Sequence, residues 1–387
     1  MPPPPVQTPR ERLRSLDVFR GATIAAMILV NTPGSWDHVY APLLHAEWHG
    51  LTPTDLVFPN FVFIVGVSLV LSLGRGGWAG ERTPEQRAAL GATAAKVTRR
   101  VALIFAVGLA LNGFPFFHAS LSELRIHGVL QRIALAYGLA AAIALAVPRR
   151  GWLPATAALL LGSWALIAWG APGPDPYALT GNLQRAVDLA TVGADHMYTG
   201  FGIAFDPEGL VGTLATAATA LLGAHAGSLI QRAPTRGERV AALLRFGLVL
   251  AAIGVLWGTV LLINKPLWTA SYACLTAGIA SVLLAGCTYA VDGRAPRRWA
   301  APFVHFGVNP LAVYVLSGLI VRVLIYVLRW EGSGGDPVNA YGWLWREVYA
   351  SLPVPPKLAS LAFAATVVAL CWGFAYALWR RQIVIKL

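Results

Sequence analysis

The chain is predicted to be all-α, a polytopic membrane protein with about ten transmembrane helices and both termini in the cytoplasm. Three observations carry that expectation. Hydrophobic residues make up 56% of its 387 residues and charged ones only 12%, with a mean hydropathy of +0.60; a soluble domain carries about twice that charged share. Apolar stretches of about 20 residues recur, each long enough to cross a hydrocarbon core about 30 Å thick. The basic residues gather in short segments on alternate sides of those stretches, as the positive-inside rule expects.

The proline-rich opening "MPPPPVQTPRERLRS", residues 1–15, reads as a disordered cytoplasmic tail, and residues 16–387 as one transmembrane domain. The expected spans are 18–36, 55–73, 99–117, 128–147, 152–170, 207–229, 243–263, 267–290, 303–327 and 358–379. Five longer connections separate them: 37–54, 74–98, 171–206, 230–242 and 328–357. No small-residue cleavage site clearly follows the first span, which is therefore expected to be retained. Cys274, Cys287 and Cys371 all fall in apolar spans and offer neither a disulfide framework nor a metal-ligand spacing. No metal is expected.

Orientation follows from Lys and Arg. With the N-terminus in the cytoplasm, 21 basic residues fall on the cytoplasmic side. Six face the other way: Arg125, Arg185, Lys265, Arg329, Arg346 and Lys357. Arg20, Arg132 and Arg322 lie within or at the edge of spans. The net charge of +12 is thereby absorbed by topology rather than by a nucleic-acid surface. The His45 loop and the loop 171–206, richest in acids and histidines, are then non-cytoplasmic.

Ionisable groups inside spans are costly and face protein or water-filled space. Asp17 and Arg20 in "SLDVFRG" share a helical face and read as a local ion pair, or as the lining of a cytoplasmic cavity. Asn31 in "LVNTPG" reads most simply as a hydrogen bond to a neighbouring helix. "HAEWHGLTPTD" places His45, Trp48 and His49 just before Asp55, which caps the next helix, supports a catalytic group, or both. "GVLQRIALAY" sets Gln131 and Arg132 just inside span four, where the arginine wants an anionic partner. "FDPEG" puts Asp206 and Glu208 around Pro207, ordinary N-terminal helix signals. Asn264 and Lys265 end span seven, and Asn309-Pro310 is expected to kink span nine. No nucleotide fingerprint, Walker loop, zinc motif or nucleophile elbow occurs, so any site must be assembled between helices. On these residues alone an enzyme and a proton-coupled transporter of a small polar solute stand level, although the transporter would be expected to show matched inverted repeats, and none is seen.

Seven motifs in order, "RLRSLDVFRG", "LVNTPG", "HAEWHGLTPTDLVFPNFVFIVG", "GVLQRIALAY", "DHMY", "FDPEGLVGTLATAATALLGAHAG" and "NKPLWTASY", give the chain a resemblance to a known family. It resembles the catalytic membrane domain of the heparan-α-glucosaminide N-acetyltransferases, from about Arg12 to the closing "WRRQIVIKL". The resemblance implies acetyl transfer from cytosolic acetyl-CoA to an amino sugar or glycan across the lipid bilayer. It puts the active histidine at His45, in His-x-x-Trp-x-Gly-Leu, and carries a polar Asn onto Asn31 and an Asp onto Asp55. The chain departs from the lysosomal member in two places. It starts directly at the first catalytic-domain span, and it has Leu316, Ser317 and Gly318 where that enzyme has a His-Glu pair. Both departures point to a bacterial branch in a cytoplasmic (inner) membrane, with an envelope amino sugar as acceptor.

With that resemblance, acetyl-CoA is expected to rest its phosphates on Arg99, Arg100, Arg149 and Arg150, with Arg20, Gln131 and Arg132 deeper, because arginine gives phosphate bidentate contacts. For each loop arginine, simple topology determination is the competing reading. His45 would act as base or nucleophile, Asn31 as a donor to the thioester carbonyl, and Asp55 as the group that orients His45 or binds the acceptor's ammonium. Trp48, His49, Asp188, Asp195, His196, Glu208, Asn264 and Lys265 form the expected acceptor-binding set. A homodimer is among the assemblies the sequence leaves open.

Overall fold

A computed structural model describes residues 13–73, 84–117, 120–293, 297–332 and 336–385. The expected tail, apart from its last three residues, lies outside the described residues, as do Arg75, Arg82, Arg294 and Lys386 of the charge count. The chain is mostly helical. The main helices are α1 (Arg14–Asn31), α2 (Val57–Leu73), α3 (Pro84–Gly113), α4 (Val129–Ala146) and α5 (Trp152–Gly170). A short α6 (Leu183–Thr191) follows, then α7 (Thr213–Arg232), α8 (Arg236–Trp257) and α9 (Ala270–Val291). The last part holds α10 (Ala301–Val308), α11 (Pro310–Arg322), α12 (Ala340–Trp343) and α13 (Pro356–Arg380).

Among the described residues, 8 helical stretches are long and apolar enough to cross a membrane: Pro53–Ser72, Val129–Ala146, Arg149–Gly170, Thr213–Arg232, Arg236–Trp257, Ala270–Val291, Pro310–Val327 and Pro356–Arg380. The other two expected spans are occupied by α1 and α3. Both are helices, but α1 carries Arg14, Asp17 and Arg20, and α3 carries Lys96, Arg99 and Arg100 beside its apolar half. α3 also begins at Pro84 rather than near residue 99, because its polar first half is helix-forming too. Span nine is broken where Asn309-Pro310 suggested: α10 ends at Val308, Asn309 takes φ −127° and ψ 53°, and α11 starts at Pro310. The sequence read 171–206 and 328–357 as connections, yet the first holds α6. The second holds an antiparallel pair, β1 (Arg329–Glu331) and β2 (Pro337–Asn339), with Trp330 opposite Val338.

Helix α7 is the hub, packed on α2, α4, α5, α8 and α9, while α1 packs on α10 and α9. Small residues let the backbones meet. A Cβ at Gly66 would run into the Ala220 carbonyl and one at Gly223 into that of Phe63, so α2 and α7 cross at van der Waals contact of their main chains. α2 packs on both α1 and α4, and successive residues of these three helices line two successive spaces.

Candidate active site

α1 stops at Asn31 because Thr32 precedes Pro33, and a residue before proline is pushed out of the helical region. The chain then loops through His45 and re-enters a helix at the turn Pro53–Leu56. Asp55 closes that turn as a capping box with Thr52. The carboxylate caps with one oxygen and faces His45 with the other. Its Oδ2 accepts from the Thr52 N–H at 3.0 Å, the Thr52 hydroxyl at 3.0 Å and the Ala46 N–H at 3.0 Å. Its Oδ1 lies 2.7 Å from His45 Nδ1. The carboxylate is 1% exposed and the His45 side chain 47%, so a buried anion orients a ring that faces open space.

A third group arrives from the turn between α8 and α9. The Asn264 side chain accepts from the Leu267 N–H at 2.7 Å and donates to the Trp48 carbonyl at 3.0 Å, tying this turn to the His45 loop. Lys265 Nζ thereby stands 3.3 Å from Asp55 Oδ1, 2.9 Å from His45 Nδ1 and 3.3 Å from His45 Nε2. Burial lowers the Lys265 pKa, and the Asp55 charge restores part of it.

His45, Asp55, Lys265, Asn31, Trp48 and Glu208 share one cavity of about 690 Å³. Asn31 is exposed there and makes no side-chain hydrogen bond among the described residues. Further along the same helices lies a second cavity of about 670 Å³, walled by aliphatic residues and carrying Arg20 and Arg100. Arg20 donates to Ser68 Oγ at 2.7 Å and to the Gly307 carbonyl at 3.2 Å, and is paired with Asp17 at 3.5 Å. Arg100 stacks over Tyr137 at 5.3 Å. Between the two lies a neck of about 10 Å³ whose lining is wholly apolar. Met27, Phe58, Val129 and Tyr314 of the neck also line the His45 cavity, and Phe61, Leu130, Ile133 and Leu311 also line the Arg20 cavity. The two cavities and the small space between them therefore adjoin, each sharing four wall residues with the constriction.

The remaining candidates sit elsewhere. Arg99 and Arg150 are exposed, and Arg149 donates to Gln231 Oε1 at 2.7 Å; none lines the Arg20 cavity. Arg132 is 1% exposed, and what it holds is not an anion but the carbonyls of Pro207 at 2.8 Å and Gly209 at 2.7 Å, near Gln184. Gln131 is buried against Gly108. Asp195 is exposed, His196 Nδ1 sits 2.7 Å from the Leu124 carbonyl, and His49 lies 3.3 Å from Asn264; these three lie outside both cavities.

Arg125, read only as a topology residue, is the cation missed by sequence. Its fork grips Asp206 at 2.8 and 2.7 Å and Glu208 at 2.6 Å, with Tyr198 4.8 Å from the guanidinium, and it lines the His45 cavity. Burial would raise Asp206, but the Arg125 fork outweighs it and holds that carboxyl below its usual range.

Asp188 is wholly buried beneath this loop. Its Oδ1 accepts from the Leu210 N–H at 3.0 Å and stands 3.5 Å from His127 Nε2, while its Oδ2 has no partner among the described residues. Burial pushes its carboxyl up to about 7 and lowers His127. A carboxyl raised above its unfolded value stabilises the fold most at low pH and loses that contribution as pH rises towards 7. Asp188→Asn keeps the acceptor for Leu210, so thermal unfolding of this variant in nanodiscs is expected to gain on wild type as pH rises from 4 to 8. The expected shift in relative Tm is roughly 2 °C or more; a difference that stays constant with pH contradicts a protonated Asp188.

A family model described as "Heparan-alpha-glucosaminide N-acetyltransferase, catalytic" matches residues 12–185, the part that contributes His45, Asp55, Asn31 and Arg20. The chain is also 29% identical, over 360 aligned residues, to heparan-alpha-glucosaminide N-acetyltransferase of Homo sapiens, and 28% identical over 361 to that of Mus musculus. The family resemblance read from the motifs holds. Each alignment takes in 79% of this chain but 52% and 53% of those proteins, so the chain spans about half the length of the curated relatives it matches. The likeness to these N-acetyltransferases therefore extends beyond the residues that the family model matches.

Proposed function

We propose that the protein is a membrane-embedded acetyltransferase that takes acetyl-CoA from the cytosolic side and acetylates an amino sugar or related envelope glycan on the other. The observation that carries this reading is the succession of adjoining spaces from the Arg20 and Arg100 cavity, past an apolar constriction, to the cavity of His45. CoA is polyanionic and stays on its own side of a bilayer, so two guanidiniums at one end of a narrow apolar passage suit its phosphates. The pantetheine arm would thread the neck and bring the thioester to the His45 cavity. The charge bias of the loops supports ten spans with both termini cytoplasmic, α1 and α3 crossing as the more polar pair.

In this reading Asp55 fixes the Nδ1–H tautomer of His45, leaving Nε2 to take a proton from the attacking amine. The new C–N bond forms as the C–S bond breaks, and the imidazolium returns its proton to the leaving thiolate. Asn31, free in the same cavity, would donate to the developing oxyanion. A charged Lys265 can only donate; 3.3 Å from Asp55 Oδ1, it shares that carboxylate with His45 and leaves Nε2 to the acceptor's neutral amine. Glu208, Trp48 and the Arg125 cluster would hold the sugar.

The test is purified protein in nanodiscs with radiolabelled acetyl-CoA and glucosamine. Labelled N-acetylglucosamine or acetylated protein supports the reading, and absence of any acetyl-CoA binding contradicts it. Phe61→Trp should plug the neck without touching His45. Turnover is expected to fall by at least about tenfold while the site still reacts with a small histidine reagent from the His45 side; unchanged turnover would mean the donor takes another route.

A further inference from the structure

The C-terminal segment beyond α13 forms part of the wall of the Arg20 cavity. α13 ends at Arg380, and Gln382 adopts a φ of 55°, a left-handed conformation that reverses the chain. The Ile383 N–H then bonds back to the Leu378 carbonyl at 2.9 Å. The reversed segment lies against the break between α10 and α11. There the Asn309 side chain, from a residue 1% exposed, donates from Nδ2 to the Ile383 carbonyl at 2.9 Å and accepts at Oδ1 from the Ile385 N–H at 2.8 Å. One side-chain amide thus pairs with a carbonyl and with the N–H two residues on, as a neighbouring strand does.

That pairing has a consequence on the other edge of the segment. Neither the N–H nor the carbonyl of Val384 has a hydrogen-bond partner among the described residues. The side chains of Val384 and Ile385 line the same cavity as Arg20 and Arg100, yet are 46% and 50% exposed. An aliphatic surface with an unpaired peptide edge, opposite two guanidiniums, fits a ligand with amides along an apolar arm and phosphates at its end. Extended ligands bind such edges through main-chain hydrogen bonds.

We propose that Val384 and Ile385, held by Asn309, are acyl-donor-binding residues, and that the pantetheine arm of acetyl-CoA lies along the free edge of Val384. This rests on the acetyltransferase reading above. Asn309 is a positioning residue; Val384 and Ile385 touch the donor.

Val384→Pro removes the free N–H, Ile385→Ala trims the wall, and Asn309→Ala releases the segment. Each is compared with wild type in nanodiscs by binding of radiolabelled acetyl-CoA, by KM and kcat for acetyl transfer to glucosamine, and by thermal unfolding. Acetyl-CoA affinity is expected to fall, and its KM to rise, by about tenfold in each variant, with kcat at saturating donor within about twofold. The first two variants alter half-exposed residues, so their folding is secure even if Asn309→Ala proves unstable. Val384→Pro and Ile385→Ala with wild-type affinity and KM, or with kcat alone reduced, overturn the proposal while the acetyltransferase reading stands. A wild type that binds no acetyl-CoA overturns both.

Discussion

His45→Ala is expected to lower acetyl transfer by about 10³-fold or more while leaving acetyl-CoA affinity within about twofold of wild type, because general-base and nucleophilic roles are each worth factors of that order. The split follows from position. His45 opens onto the cavity at the far side of the neck, whereas the groups proposed to bind the donor, Arg20, Arg100 and the C-terminal segment, line the other cavity. The His45 side chain is nearly half exposed and no helix depends on it, so the variant should fold normally. Steady-state kinetics beside equilibrium donor binding checks both halves. Transfer reduced less than about tenfold would remove His45 from the chemistry, and donor binding lost in parallel would move it to the donor site.

Asp55→Asn should lower kcat by about 10²–10³, somewhat less than the corresponding change in a serine-protease triad, since this histidine is also steadied by Lys265. The physical reason lies in the two oxygens of Asp55. An asparagine can keep its single oxygen on the Thr52 and Ala46 N–H groups, preserving the cap, but it then offers an NH₂ to His45 Nδ1. The ring must answer with a lone pair there and carry its proton on Nε2, the wrong tautomer for a base. The cap survives, so thermal unfolding should change by only a few degrees. Asp55→Ala, which removes cap and tautomer control together, should lose stability as well. If Asp55→Asn turned over at the wild-type rate, Asp55 would be a capping residue alone.

What the sequence disclosed follows from how far its signals reach. Membrane-length apolar stretches are local, and all but the two most charged appear as long apolar helices. Asn309-Pro310 announced the break in span nine, because proline removes a donor and restricts the residue before it. His45 and Asp55 are near neighbours in the chain, and their pairing was within reach of the capping argument. Lys265 stands 220 residues from His45, and nothing in "NKPLW" says which loop it meets. Arg132 looked like an arginine in search of an anion, yet its terminal nitrogens hold the loop carbonyls of Pro207 and Gly209. Arg125 looked like one of six basic residues on the minority side and proved to be the anchor of Asp206 and Glu208. The stretch "QIVI" carries no motif of its own; its proposed role depends on the helix break it lies against. Neighbourhoods made by tertiary packing leave no local trace in composition or periodicity.

The central claim is that one passage connects a donor on the basic face to an acceptor on the other. It is tested most directly in sealed proteoliposomes of defined orientation, with acetyl-CoA supplied on one side and labelled glucosamine enclosed on the other. The account predicts N-acetylglucosamine only when acetyl-CoA meets the face bearing Arg20 and Arg100 and glucosamine meets the face bearing His45. Product formed when both substrates are confined to a single side would contradict it.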